Sequence, residues 1–121
     1  MKYSTIFFFI NFFVLIHIVK ATRVRIHSNI YTDTSCRGDV SNFKGHVWYD
    51  TGYVHCNNNC TLMDTSNAPN ELFEVHVRVY KTDQWRNSDH DVCYGVNGYE
   101  SNWTLDDMDC SQFPDAPTCE S

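Results

Sequence analysis

The chain has 121 residues, with 9 Lys and Arg against 15 Asp and Glu and a formal net charge of -6 at pH 7. An acidic surface of this kind repels phosphate backbones and anionic lipid, which disfavours binding to nucleic acid or to a membrane surface. The length suffices for one domain but not for two independent cores.

Met1, Lys2 and Tyr3 precede an apolar run from Ile6 to Val19, broken only by Asn11 and His17 and followed by Lys20 and Ala21. This reads as a secretory signal peptide over residues 1–21. The run falls short of the ~18 to 20 residues that cross a bilayer, and Val19-Lys20-Ala21 supplies a small-residue cleavage site. The expected mature protein is a single secreted, extracellular domain over residues 22–121. Cleavage removes Lys2 and Lys20 but no acid, leaving 7 cations against 15 acids. After residue 82, nine acids face the single cation Arg86.

Val24, Ile26 and Ile30 alternate with polar residues at the period of a half-buried strand. The polar stretch from Thr32 to Arg37, ending in Gly38, predicts a hairpin loop. Strand-like residues return at Val40 and Phe43, and again from His46 to Tyr49 before an Asp50-Thr51-Gly52 turn, where Gly52 is expected to accept alanine. Tyr53 to Cys56 predicts a fourth short strand, and Asn57 to Asn70 reads as a turn-rich crossover. Leu72 to Tyr80 is the clearest strand, with Phe73, Val75, Val77 and Val79 on one face and Glu74, His76, Arg78 and Tyr80 on the other. Lys81 to Ser88 reads as hairpin residues. Short strands follow at Asp91–Tyr94, Val96–Tyr99 and Asn102–Leu105, with one helical turn near Leu105 to Met108. No stretch of ten residues sustains a helical period, so the class is all-β, a small sandwich or barrel.

All six cysteines (Cys36, Cys56, Cys60, Cys93, Cys110 and Cys119) lie in the mature part, and an even number behind a signal peptide predicts three disulfides. Connectivity stays open among fifteen possibilities. Zinc is disfavoured, because Cys56-x-x-x-Cys60 has no second ligand pair.

Residues 32–61 set against 82–111 pair six identities: Thr32/Thr82, Asp33/Asp83, Asp39/Asp89, Gly45/Gly95, Tyr49/Tyr99 and Cys60/Cys110. The offset predicts an internal repeat of about 50 residues, with halves at about 22–70 and 71–121. Each half also holds an aromatic, four residues, a bulky residue, one more, then a turn former: Tyr31, Cys36, Gly38 and Tyr80, Trp85, Asn87. This spacing resembles the Greek-key signature of the βγ-crystallin fold, which small secreted microbial toxins and inhibitors share. The resemblance implies a disulfide-stabilised β-sandwich of two Greek-key motifs, with Gly38 and Asn87 at positive φ in folded hairpins. It also implies calcium loops at Asn57, Asn58 and Thr61 and at Asp106, Asp107 and Ser111. Leu62 and Cys110 depart from that calcium pattern and remove hydroxyl ligands, so no cofactor is expected.

Glu74, His76 and Arg78 stand in a row about 7 Å apart on one strand face. The trio resembles the acid-base set of secreted fungal guanyl-specific ribonucleases and of the catalytically silent effectors built on their fold. Those proteins carry an early helix that is absent here, and the acidic surface opposes RNA. No G-x-S-x-G elbow, spare cysteine nucleophile or phosphate-cradling glycine loop occurs. Asn59-Cys60-Thr61 and Asn102-Trp103-Thr104 are N-glycosylation sequons, and Asn102 is the better acceptor because a bridged Cys60 competes with modification at Asn59. The expectation is a monomeric, non-catalytic binder of the effector, toxin or inhibitor type. Its partner would be an extracellular protein or a glycan. A ribonuclease-like protein and an extracellular coat component are the alternatives.

Overall fold

The computed structural model describes residues 21–121, so the expected signal peptide, Ala21 apart, lies outside the described residues. Nine strands follow one another among them: β1 (Thr22–Ile30), β2 (Ser35–Ser41), β3 (Val47–Asp50), β4 (Val54–His55), β5 (Cys60–Ala68), β6 (Phe73–Val79), β7 (Thr82–Ser88), β8 (Val92–Tyr99) and β9 (Asn102–Met108). One turn of 3-10 helix, Cys110–Gln112, follows β9.

β6 shows why strands form here. Phe73, Val75, Val77 and Val79 are fully buried while Glu74, His76 and Arg78 are half-buried on the other side. Each such apolar side chain contributes on the order of 1.5 to 3 kcal/mol on burial. Four strands make one sheet in the order β5-β1-β8-β9, with β1 and β8 parallel. The second sheet runs β3-β2-β6-β7, with β4 on the edge of β2, and all its pairings are antiparallel. Val24, Ile26, Ile30, Leu62, Met63, Val96 and Leu105 of the first sheet share a core with Val40 and the apolar face of β6. The two sheets close over it as a sandwich.

One seam is polar. Thr82, Gln84 and Arg86 stand on the same side of β7 as the apolar face of β6, yet they reach sideways to β9 and not into the core. Thr82 Oγ1 accepts from the Trp103 indole at 2.7 Å. Gln84 donates to the Trp103 carbonyl at 2.8 Å and accepts from the Leu105 N–H at 3.2 Å. Arg86 Nη2 donates to the Leu105 carbonyl at 2.6 Å. The Gln84 carboxamide thus pairs with β9 as a neighbouring peptide would, occupying groups that an open sheet edge leaves free.

Three disulfides join Cys36 to Cys56, Cys60 to Cys119 and Cys93 to Cys110, and no cysteine is free. They span 20, 59 and 17 residues, for which the chain-entropy account gives about 3 to 4 kcal/mol each. Cys60–Cys119 also pins the C-terminal tail along β5, where Thr61 N–H donates to Pro117 and Cys119 N–H to Thr61.

The class holds, but several local expectations need correction. Thr32 to Arg37 is not a hairpin loop: β1 and β2 belong to different sheets, and Tyr31–Thr34 crosses between them. By contrast β6 and β7 form a tight hairpin through Tyr80 and Lys81, with Tyr80 at φ 54°. The strand pairing at the start of the two halves is therefore not repeated at the 50-residue offset. Gly38 and Asn87 are not at positive φ, since both sit inside strands, opposite Val77 and Glu74. At 38 the constraint is room: a Cβ there would lie 2.9 Å from Met63 Cε, the free end of a flexible side chain that has to shift to admit it. The positive φ values fall at Asn58, Asn59 and Tyr80 and at Gly45, Gly52 and Gly98. Asn57 to Asn70 is not a crossover loop, because β5 occupies most of it. The helical turn falls after β9, not within Leu105 to Met108.

Candidate functional site

The outer side of the β3-β2-β6-β7 sheet gathers most of the chain's unassigned chemistry. Strand alternation turns Cys36, Gly38 and Val40 inward, so Arg37, Asp39 and Ser41 share the side of Glu74, His76 and Arg78. Register then aligns three rungs across β2, β6 and β7. They are Arg37, Arg78 and Asp83; Asp39, His76 and Trp85; and Ser41, Glu74 and Asn87. Asp50 of β3 stands beside Asp39.

Most charges on this face are already paired. Arg37 holds Asp50 in a two-pronged ion pair, Nε to Oδ1 at 2.9 Å and Nη2 to Oδ2, and its guanidinium lies 5.5 Å from the centre of the Tyr53 ring. The bond to Asp50 raises the Arg37 pKa further and holds the Asp50 carboxyl below the usual carboxylate range. Arg78 Nη1 donates to Asp83 at 3.0 Å and its Nε to the Tyr80 carbonyl at 3.3 Å. His76 Nε2 lies 2.6 Å from Glu74 Oε2, and its ring stacks near that of Trp85, centroids 6.3 Å apart. Two arginines thus face four carboxylates.

Asp39 is the exception. Among the described residues no side chain forms a hydrogen bond or ion pair with it, and burial raises its pKa against the opposing pull of His76. It lines a groove of about 510 Å³ together with His76, both arginines and the rings of Tyr53 and Trp85. Those rings are 53% and 57% exposed, so they serve no core. A second depression of about 340 Å³ shares Asp39 and His76 and continues past Glu74 to Phe43 and Val47, which are also exposed. The two depressions thus meet at Asp39 and His76, with Tyr53 and Trp85 in one and Phe43 and Val47 in the other.

Of the expected residues, Glu74, His76 and Arg78 do share this face, but they do not act as one row. His76 turns to Glu74, and Arg78 turns away to Asp83 and Tyr80. Arg37, Asp39, Tyr53 and Trp85 were not expected to join them. Their only sequence signal is matching parity, Arg37-x-Asp39 and Asp83-x-Trp85, which becomes informative once β2 and β7 are known to flank β6.

The calcium candidates fall at two places, the turn into β5 and the end of β9 with the helical turn after it. Asn57 and Asn58 shape the turn into β5, with Asn58 N–H donating to Ile30, while the Thr61 hydroxyl donates to the Ala116 carbonyl. Asp106 and Asp107 are neighbours in a strand and point to opposite sides. The Asp106 carboxylate accepts from Thr104 and Asn97, which lowers its pKa, and Ser111 donates to Asp109. Among the described residues no group of three or more His, Cys, Asp or Glu is placed to hold a metal ion. Of the sequons, Asn59 Oδ1 lies 2.7 Å from His27 Nε2 beside the Cys60–Cys119 bridge. Asn102 is exposed at the β8–β9 turn.

No protein-family model, curated protein or solved structure matches the chain.

Proposed function

We propose that this is a secreted, disulfide-stapled protein of the effector, toxin or inhibitor type that works by binding through the outer face of the β3-β2-β6-β7 sheet, without catalysis. Asp39 carries the reading. Its carboxylate is partly desolvated, which disfavours the charged form, and among the described residues no protein group pairs with it. Standing in a groove with exposed rings, it is an acceptor that a ligand's donor can reach. Three disulfides suit an oxidising compartment, and among the described residues no helix is long and apolar enough to cross a membrane. An N-glycan on Asn102 would alternate with the inward Trp103 and sit on the outside of the other sheet, leaving the groove open.

The 2.6 Å contact between Glu74 and His76 favours one second reading, acid-base chemistry at phosphate as in a ribonuclease. The surplus of carboxylates weighs against it, since each arginine that would meet the phosphate is neutralised by its own aspartate. Incubating the oxidised protein with RNA decides between them. The binding reading expects no cleavage, and turnover abolished by Glu74→Gln would overturn it.

A further inference from the structure

We propose that the groove takes a neutral oligosaccharide, an inference that rests on the reading of this face as a binding surface. A sugar ring offers flat C–H faces and a rim of hydroxyl groups that both donate and accept. The groove offers the complement. Tyr53 and Trp85 present large, rigid apolar rings to solvent, the kind of surface that an apolar face covers at low entropic cost. Between them Asp39 supplies an acceptor without a partner, and His76 stands beside it on the same rung. Few, fixed polar groups among aromatic walls are what a small-ligand site needs to set orientation.

Charge selects within the sugars. The guanidiniums of Arg37 and Arg78 are each bound by an aspartate, while Asp39 and Glu74 leave the face with more carboxylates than cations. Sulfated or uronic chains would be repelled, and so would nucleic acid. A protein partner fits less well, because the centres of protein interfaces are depleted in charged residues. Here the middle rung holds Asp39 and His76, with Asp50 alongside. From Arg37 to Ser41 the groove spans about 13 Å along β2, and the exposed Phe43 and Val47 carry it onward. This is room for a short chain of rings.

The test uses the oxidised secreted protein, titrated with neutral cello-, manno- and N-acetylated chito-oligosaccharides, and with oligogalacturonate and heparin fragments as anionic probes. Binding is read by calorimetry and by tryptophan emission, with circular dichroism of each variant as the folding control. We expect one of the neutral probes to bind and the anionic ones to fail. Trp85→Ala should weaken binding about tenfold or more, Trp85→Phe should keep most of it, and Asp39→Asn should weaken it with the fold unchanged. The inference is overturned if no neutral probe binds, if the anionic probes bind as well as the neutral ones, or if Trp85→Ala leaves the affinity unaltered. Release of new reducing ends would instead overturn the non-catalytic reading and leave the sugar class standing. A protein ligand that needs Trp85, with no glycan bound, would overturn the sugar class and leave the face.

Discussion

The two sides of β7 are both polar, and for opposite reasons. Gln84 and Arg86 are polar because they complete the backbone of β9, and Thr82 accepts from the Trp103 indole, so their hydrogen bonds belong to the fold. Asp83, Trp85 and Asn87 alternate with them and face water beside β6. Trp85 there is a large apolar ring that the fold leaves uncovered. A polar residue on a strand therefore says little until its neighbour is known. On the inward side the neighbour is a sheet edge, and on the outward side it is a groove with an unpaired carboxylate.

Inward changes should therefore cost more stability than outward ones. The largest effect is expected for Gln84→Ala combined with Arg86→Ala, which strips partners from the Trp103 and Leu105 backbone and should cost roughly 3 kcal/mol in urea unfolding with disulfides intact. Gly38→Val should cost about 2 kcal/mol, because the new side chain must push Met63 aside and not because of its φ. Gly52→Ala should cost about 1 kcal/mol, because Gly52 has φ +67° although nothing crowds it. Alanine tolerance there, as the turn alone suggests, would show that the loop relaxes.

The smallest effects belong to the outer face. Trp85→Ala should stay within about 0.5 kcal/mol of the parent protein. Asp39→Asn should be as stable as the parent or more so near neutral pH. Burial raises the Asp39 pKa in the folded state, so the parent loses stability as pH rises from the ordinary carboxylate range through that raised value. The advantage of the asparagine variant should vanish below that range. Asp50→Asn should behave in the opposite way. Arg37 lowers the Asp50 pKa, so the variant is the weaker one at neutral pH, and the difference closes as acid protonates the parent's Asp50. Unfolding midpoints across pH for the three proteins check both signs.

Legibility in the sequence followed the same division. β6 was readable because its inward residues are apolar and alternate strictly. β7 was not, since its inward residues are hydrogen-bonded to an edge and carry no apolar period. β5 escaped because two register shifts along its pairing with β1 break the alternation, giving buried Leu62 and Met63 in succession. Its start is marked by asparagines, of which Asn58 and Asn59 are there for their left-handed backbone and not for a loop. The spacing from Tyr31 to Gly38 matched a hairpin signature, but the chain passes from one sheet to the other at that point, and a local spacing does not show which sheet a strand joins. Half of the site was visible for a related reason. Glu74, His76 and Arg78 lie on one strand, whereas Asp39 and Trp85 reach them only through pairing between β2, β6 and β7.

The central claim, that the outward side of these three strands is the working face, is tested most directly by amide chemical-shift mapping during titration with a neutral oligosaccharide that binds. The expected shifts are confined to Arg37–Ser41, Tyr53, Glu74–Arg78 and Asp83–Trp85, with β1, β5 and β9 unmoved. Shifts centred on the β5-β1-β8-β9 sheet, with the amides around Asp39 and Trp85 unchanged, would contradict it.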